Sequence, residues 1–585
     1  MGNPKKKIKS IPYGIMNYLH LRKENYFYVD KTHFIPKIEE AGEYLFLIRP
    51  RRMGKSLWIS LMECYYDVAL KEEFQQVFRD TWVAENPTDE QGEYLVLRLN
   101  FSSVNPAPDK VEAHFNEFGN IALDQFLRKY AEAIGDDSIL KIQSRTNFTL
   151  RLESLFQEII PKNLKLYLFI DEYDNFSNTV LSTSGKKAYQ KLTHGEGFFR
   201  HFFNVLKGGA MQTGGGQIKL FITGVSPITM DDVTSGFNIG DNITLEPAFN
   251  DMFGFTEEEV LTVLRYYAEH QQFPLDINHS MQLMKKWYNG YQFSKDADKC
   301  LFNTDMVLYF VNKSMRTGRI PEYLIDRNVR IDYGKLRHLI TIDRKVNGNF
   351  EGLRSIIEKG QARARVVDSF PLEEVAEPDN FHSLLYYFGL LTFAGRGKRG
   401  KPILKVPNQT VYQLLFGYIR DALKDTECFR LNFQKLFELI EDMAYDGKWK
   451  ALFTFLAEQI KSQTGIRDFL SEEKPIQSIL AAYLNVTDYY VCYTEAELNK
   501  GYADILLEPL WAKHPEIRYG CLVEIKYINR SDYSEQRLQE KIIEAKKQIA
   551  TYAEDQKLQE KIHNQYTLKI ILIFNGWELV YMKAE

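Results

Sequence analysis

The chain has 585 residues, 44% hydrophobic and 26% charged, with a formal net charge of -4. This balance fits several globular domains and excludes disorder, a fibrous repeat and a molecule-wide field that attracts polyanions. At about 150 residues per domain, three or four compact units are expected. No apolar run reaches the ~20 residues of a membrane span, and the Lys5-Lys6-Lys7 start has no apolar export segment behind it. The cysteines Cys64, Cys300, Cys428, Cys492 and Cys521 form no CxxC pair, so a reducing cytoplasm is the expected location.

From Tyr28 to Asp67 the pattern is a short polar strand-like stretch, a helix, the apolar strand Tyr44 to Ile48, a basic glycine turn, and a helix opening at Ser56. Further strands are expected over Tyr94 to Phe101, Leu164 to Ile170 and Ile218 to Thr223, with a helix over Val111 to Ala133. Strands alternating with helices predict an α/β domain built on a mainly parallel sheet. The glycine-rich stretch Lys207 to Gly216 has no helical pattern and is expected to be a loop.

Gly54-Lys55-Ser56 lies between the first strand and its helix, the context a phosphate loop requires. Backbone N–H groups and the helix N-terminus would hold phosphates, Lys55 would reach the terminal ones, and the Ser56 hydroxyl would ligate Mg²⁺. Arg52 and Leu57 complete the expected nucleotide contacts. One departure from GxxxxGK[ST] is Arg49, which stands where the first glycine belongs. Further on, the strand Leu166 to Ile170 ends in Asp171-Glu172, placing Asp171 to hold the Mg²⁺ and Glu172 to activate the attacking water. Thr223 and Ser226, at the end of the next strand, are the expected polar sensors of the terminal phosphate. Arg51 and Arg52 suit either phosphate or a neighbouring subunit.

Tyr28-Val-Asp-Lys-Thr32, Arg49-Pro-Arg-Arg-Met-Gly-Lys-Ser56, Phe169-Ile-Asp-Glu-Tyr173 and Trp287-Tyr-Asn-Gly-Tyr291 together resemble the bacterial and archaeal AAA-ATPase-like family. The resemblance spans about Ile11 to Tyr291. Members carry this variant loop, so Arg49 is expected there. The resemblance implies ATP as the nucleotide, with helical and winged-helix modules beside it.

After Phe255 helical periodicity takes over, beginning with a capping box of Thr256 and Glu259. A helix near His382 to Tyr387, the stretch Gly389 to Phe393, a basic tip (Arg396, Lys398, Arg399, Lys401) and Ile403 to Val406 suggest a winged-helix hairpin. The expected domains are a P-loop domain over 1–254, a helical and winged-helix-like region over 255–430, and a nuclease-like domain with preceding helices over 431–585.

In the last of these, Asp504 opens a strand in Gly501-Tyr-Ala-Asp504. Glu524 and Lys526, two apart in Val523-Glu-Ile-Lys526, project from one face of a second strand. If the strands pair, Asp504 and Glu524 converge as oxygen ligands for Mg²⁺ or Mn²⁺, and Lys526 orients or activates water for phosphodiester hydrolysis. A Glu-x-Lys strand face is common by itself. Together with Gln548 and Tyr552 in a Gln-x-x-x-Tyr spacing on a later helix, however, the order resembles the PD-(D/E)xK nuclease superfamily, especially its RecB-like branch, over about Asp468 to Glu585. That resemblance implies that Gln548 and Tyr552 position the metal site and nucleic acid, and that an acidic helix residue joins the metal. Glu473 is the position chosen, with Glu472 adjacent.

The expected protein is an ATP-binding, ATP-hydrolysing enzyme with a metal-dependent nuclease domain. Its expected partners are nucleic acid, DNA ahead of RNA, and further copies of the chain, in the setting of defence or mobile DNA. The alternative is a nucleotide-regulated signalling scaffold with an inert nuclease-like domain.

Overall fold

The computed structural model of the protein describes residues 8–212, 217–234, 239–329, 352–353, 355–357, 360–375, 377–397, 400–425, 429–463, 472–499, 501–562 and 566–585. The chain forms two compact units, Met1–Arg319 with Asp326–Lys335 and Ala364–Leu404, and Ile320–Ile325 with Leu336–Arg363 and Lys405–Glu585. Cys428, Lys398, Arg399 and the end of the glycine-rich stretch, 213–216, lie outside the described residues.

The first unit is built on a five-stranded parallel sheet of β1 (Tyr44–Ile48), β2 (Leu95–Asn100), β3 (Leu166–Asp171), β4 (Ile218–Gly224) and β5 (Asp241–Asn242), in the order β2-β3-β4-β1-β5. Every residue of β3 and β4 is buried. That is why β3 reads as an apolar run up to Asp171, and β4 as one broken by Lys219, which pairs with Glu90, and not as alternating strands. Tyr66 of the helix Lys55–Tyr66 packs its ring against Tyr94 and Tyr167, while a separate layer gathers Phe101, Phe115, Phe176, Phe199 and Phe202. With β4 between β1 and β3, the carboxyl ends of all three strands open on the same edge, where open α/β sheets place ligands.

Two expectations are corrected here. The stretch at Tyr28 to Asp30 forms no strand, because its polar groups are spent individually: Asp30 accepts from the amides of Thr32 at 2.9 Å and Trp82 at 2.7 Å. The glycine-rich segment is helical as far as Gln212, in Phe198–Gln212. A Cβ at Gly209 would lie 2.2 Å from the Phe156 ring, so this glycine serves close helix packing and not loop freedom.

The helices Glu257–Glu269, Ile277–Tyr288 and Thr304–Thr317 follow, the first opened by the Thr256/Glu259 capping box. The helix Pro378–Tyr387 leads into neighbouring strands Thr392–Arg396 and Pro402–Lys405, the expected hairpin. Of its tip, Arg396 is engaged by Asp296.

The second unit holds a mixed five-stranded sheet of β6 (Tyr490–Leu498), β7 (Gly501–Pro509), β8 (Gly520–Ile528), β9 (Thr567–Asn575) and β10 (Glu578–Ala584), in the order β10-β9-β8-β7-β6. Only β8 and β9 run parallel, and the helix Glu535–Ala553 lies between them in the chain. Its apolar face, Leu538, Ile542, Ala545, Ile549 and Tyr552, follows helical spacing and is buried against Ala503, Leu522 and Ile571.

Candidate functional sites

The first site begins where β1 ends. Arg52 and Gly54 adopt φ of 64° and 101°, curling the loop before the helix that starts at Lys55, and at Gly54 such a backbone is cheap only for glycine. Arg49 is fully buried and points away from the cavity that the later residues of the loop line. Its guanidinium donates to the carbonyls of Ile48 (3.0 Å), Thr244 (2.7 Å) and Phe249 (2.9 Å) and lies 4.5 Å over the Phe293 ring. The arginine that departs from the general pattern thus pins the loop to neighbouring segments.

The Lys55 amine donates to the carbonyls of Arg49 and Pro50, both at 2.9 Å. Burial lowers its pKa to about 8, against the pull of Glu172 and Asp171. At the end of β3, Asp171 is raised by burial, hydrogen-bonded by the Ser56 hydroxyl and approached by Arg98 at 3.3 Å. Its Oδ1 is buried with no partner. An orphaned carboxylate oxygen beside a serine hydroxyl fits a divalent cation. Glu172, with φ of 51°, accepts from the Asn175 side-chain amide. Asp174 accepts from the amides of Val225 and Ser226, tying the end of β3 to the end of β4.

A cavity of about 350 Å³ is lined by Arg51, Arg52, Gly54, Lys55, Ser56, Leu57 and Glu172, and by apolar side chains that include Ile15, Val29, Phe255 and Leu308. Neither Thr223 nor Ser226 lines it. The Thr223 hydroxyl donates to the Leu47 carbonyl at 2.7 Å, and the buried Ser226 hydroxyl accepts from the Ile228 amide at 3.3 Å, so the sensor role gains nothing from their placement. Thr304 and Asp305 do line the cavity, although no local motif marks them. In the Trp287-Tyr-Asn-Gly-Tyr291 motif, Trp287, Tyr288 and Tyr291 are buried. The Tyr288 carbonyl accepts from the Asn303 amide at 2.9 Å, and Asn303 in turn reaches Met53 of the loop.

The second site forms where β7 and β8 pair antiparallel, with Ile505 opposite Val523. Asp504 Oδ2 accepts from the Ile525 amide at 2.7 Å, which draws this carboxylate across to β8 beside Glu524. Lys526 Nζ lies 2.8 Å from Glu524 and 3.5 Å from Glu473, the first residue of the helix Glu473–Leu484. Asp504, Glu524 and Lys526 are 4%, 2% and 4% exposed. Burial, then Glu524 and Glu473, push Asp504 well above the usual carboxylate range. Burial raises Glu524 to about 7 although Lys526 opposes it, and burial likewise raises Glu473. Burial alone would lower Lys526, yet Glu524, Glu473 and Asp504 together raise it.

Glu524 Oε2 is buried without a partner. Carboxylates that resist ionisation for want of positive charge, one of them with an orphaned oxygen, fit a hard divalent cation held by Asp504 and Glu524. The oxygens of Asp504, Glu524 and Glu473 do not all gather within 4.8 Å, because Lys526 bridges Glu524 and Glu473. Glu473 therefore bears on the lysine first.

Tyr552 sits over Gly501, where a Cβ would come within 2.6 Å of its ring, and its hydroxyl is raised by burial and by Glu524 and Asp504. Gln548 offers a buried amide oxygen with no partner. Sequence reading missed Gln477 and Glu495. Gln477 donates to the Asp504 carbonyl at 2.5 Å and to Glu495 at 3.0 Å. Glu495 has φ of 55° in β6 and also pairs with Lys474. The β6–β7 register is unbroken from Ala503 opposite Ala496 to Ile505 opposite Thr494, so Asp504 and Glu495 stand opposite each other, at the point where the left-handed backbone of Glu495 interrupts the ladder.

Residues 12–234 match the family model described as "Predicted AAA-ATPase", and residues 471–584 match that of the PD-(D/E)XK nuclease superfamily, so both resemblances read from the motifs hold over these ranges. A curated relative, the "Uncharacterized protein in vnfD 5'region" of Azotobacter chroococcum mcd 1, is 26% identical over 331 residues, covering 54% of this chain and 56% of the relative. The match thus spans little more than half the length of that relative. Among solved structures, the Aeropyrum pernix ORC1 protein in complex with DNA is 10% identical and covers 65% of this chain and 88% of its own, with a TM-score of 0.24, too low to establish a common fold. No helix among the described residues is long and apolar enough to cross a membrane.

Proposed function

We propose that the chain is an ATP-binding and ATP-hydrolysing protein that cleaves nucleic-acid phosphodiesters with a divalent metal in its second unit. The observation that carries this reading is the buried Asp504, Glu524 and Lys526 set, with its orphaned Glu524 oxygen. Keeping three ionisable groups this deeply buried costs stability, and a merely structural role for them would not require it. When bound, Mg²⁺ or Mn²⁺ supplies a Lewis acid that lowers the pKa of water and offsets charge on the phosphate. Asp504 and Glu524 hold it, Glu473 and Glu524 orient the Lys526 ammonium, and that ammonium faces the attacking water and the phosphate. Tyr552 and Gln548 support this arrangement from the helix.

In the first unit, Gly54, Lys55, Ser56 and Leu57 receive the ATP phosphates, Arg52 adds charge, and Ser56 and Asp171 hold Mg²⁺. Glu172 accepts a proton from water. DNA ahead of RNA as substrate, a cytoplasmic location and self-association belong to the same reading. The described cysteines Cys64, Cys300, Cys492 and Cys521, none in a disulfide, are consistent with that location.

The test is Mn²⁺- and Mg²⁺-dependent cleavage of linear, circular and single-stranded DNA and of RNA, with and without ATP, by the full chain and its Glu524→Ala variant. Cleavage that disappears in the variant supports the reading. Absence of cleavage on every substrate by folded, nucleotide-binding protein overturns the nuclease half of it.

A further inference from the structure

Besides Glu172, the cavity carries a second carboxylate, Asp305, which lines it beside Arg52, Gly54, Lys55 and Ser56. It sits in the first turn of the helix Thr304–Thr317. Its Oδ2 lies 2.9 Å from Arg52 Nη1, and the two side chains are 16% and 26% exposed. The contact is reinforced by main-chain bonds, since the Asp305 amide donates to the Arg52 carbonyl at 3.3 Å and the Thr304 hydroxyl to the Met53 carbonyl at 3.3 Å. Arg52 itself is held at φ of 64°.

Resting on the nucleotide-binding reading above, we propose that Asp305 is a built-in competitor for the polyphosphate. Its carboxylate neutralises Arg52 while nucleotide is absent, and phosphate oxygens must displace it to engage that guanidinium. Two consequences follow from charge alone. The competition weakens ligands in proportion to the phosphate charge they present to Arg52, so it acts on a nucleoside triphosphate and hardly at all on a monophosphate. It also makes the N-terminus of the helix Thr304–Thr317 responsive to nucleotide, because the ion pair linking that helix to the loop breaks when ATP binds.

The experiment is equilibrium binding of ATP, ADP and AMP to the full chain, to Asp305→Asn and to Arg52→Ala, and to the double variant. Asparagine keeps the size of the side chain and the amide bond to the loop while removing its charge. Asp305→Asn is expected to tighten ATP about tenfold and AMP less than about twofold, and this gain should vanish in the Arg52→Ala background. Equal effects on ATP and AMP, no effect, or weaker ATP binding would each overturn the proposal. Failure of the unaltered chain to bind any of the three would instead overturn nucleotide binding itself. Should Asp305→Asn fold poorly, Asp305→Ser provides the same comparison, since serine also suits the first turn of a helix.

Discussion

Replacing Glu524 by glutamine should stabilise the metal-free second unit at mildly alkaline pH. Burial raises this carboxyl from 4.5 to about 7. Its ionised form therefore costs the fold about 3 kcal/mol relative to the unfolded chain. The sign follows from proton counting. Between pH 4.5 and 7 the folded chain holds a proton that the unfolded chain has released, so the contribution is intact below about 4.5 and is lost as pH rises through 7. Glutamine keeps an oxygen for Lys526, now 2.8 Å from Glu524, but places an amide donor where Glu524 Oε2 has no partner. Leaving such a donor unsatisfied costs about 1 kcal/mol or more. The net gain expected at pH 8 in EDTA is about 1–2 kcal/mol, read as roughly 5- to 30-fold slower hydrogen exchange of the Gly520–Ile528 amides. That readout is local, so unfolding of the other unit does not confuse it. The gain should vanish below pH 4.5, and Mn²⁺ should slow exchange in the native chain but not in the variant. Faster exchange of Glu524→Gln at pH 8 in EDTA would refute the reasoning, since it would mean that the ionised carboxylate stabilises the fold without a metal.

Lys55, lowered to about 8 by burial, loses its proton in the free protein at mildly alkaline pH, whereas bound phosphates would raise it again. Binding then takes up a proton above pH 8, so ATP affinity should fall by up to about tenfold per pH unit between 8 and 10, measured by titration calorimetry. Lys55→Arg, which does not titrate there, should bind with a flat profile. Restoring the general motif by Arg49→Gly should not improve the loop. It strands carbonyls of Ile48, Thr244 and Phe249 and opens a void beside Phe293, so thermal unfolding of the first unit should register a loss of at least about 3 kcal/mol.

Chemistry written in short spacings was legible before any coordinates. Gly54-Lys55-Ser56 lies at a strand-to-helix junction, and Glu524 and Lys526 share a face because strand alternation leaves no other arrangement. Strands β1 and β3 were legible as continuous apolar runs of buried parallel strands, and β2 and β4 because apolar residues surround the single basic residues Arg98 and Lys219. What stayed hidden depends on distance along the chain. The partners of Arg49 lie near Thr244 and Phe249, Asp305 reaches the loop from a helix far downstream, and β5 is two polar residues with no hydrophobic pattern at all. Gln477 and Glu495 are ordinary residues in any window, and their place beside Asp504 appears only once β6, β7 and the helix Glu473–Leu484 are packed together. Gly209 misled for a related reason, because a helix needs it only when Phe156 presses against it.

The β6–β7 pairing, which sets Glu495 opposite Asp504, also bears on how the second unit orders its carboxylate site as it folds. A slip of β6 by one residue would turn its side chains to the opposite face and carry Glu495 away from Gln477 and Lys474, whereas Asp504 and Glu524 are held together by the β7–β8 pairing. Glu495, opposite Asp504 and anchored by Lys474 and Gln477, favours a single alignment of the two strands. Misaligned chains would be compact but would lack the bridge from Glu495 through Gln477 to the Asp504 carbonyl. A newly made molecule would complete that bridge only after the β6–β7 alignment is settled, which separates collapse from the final ordering of the carboxylate site during synthesis.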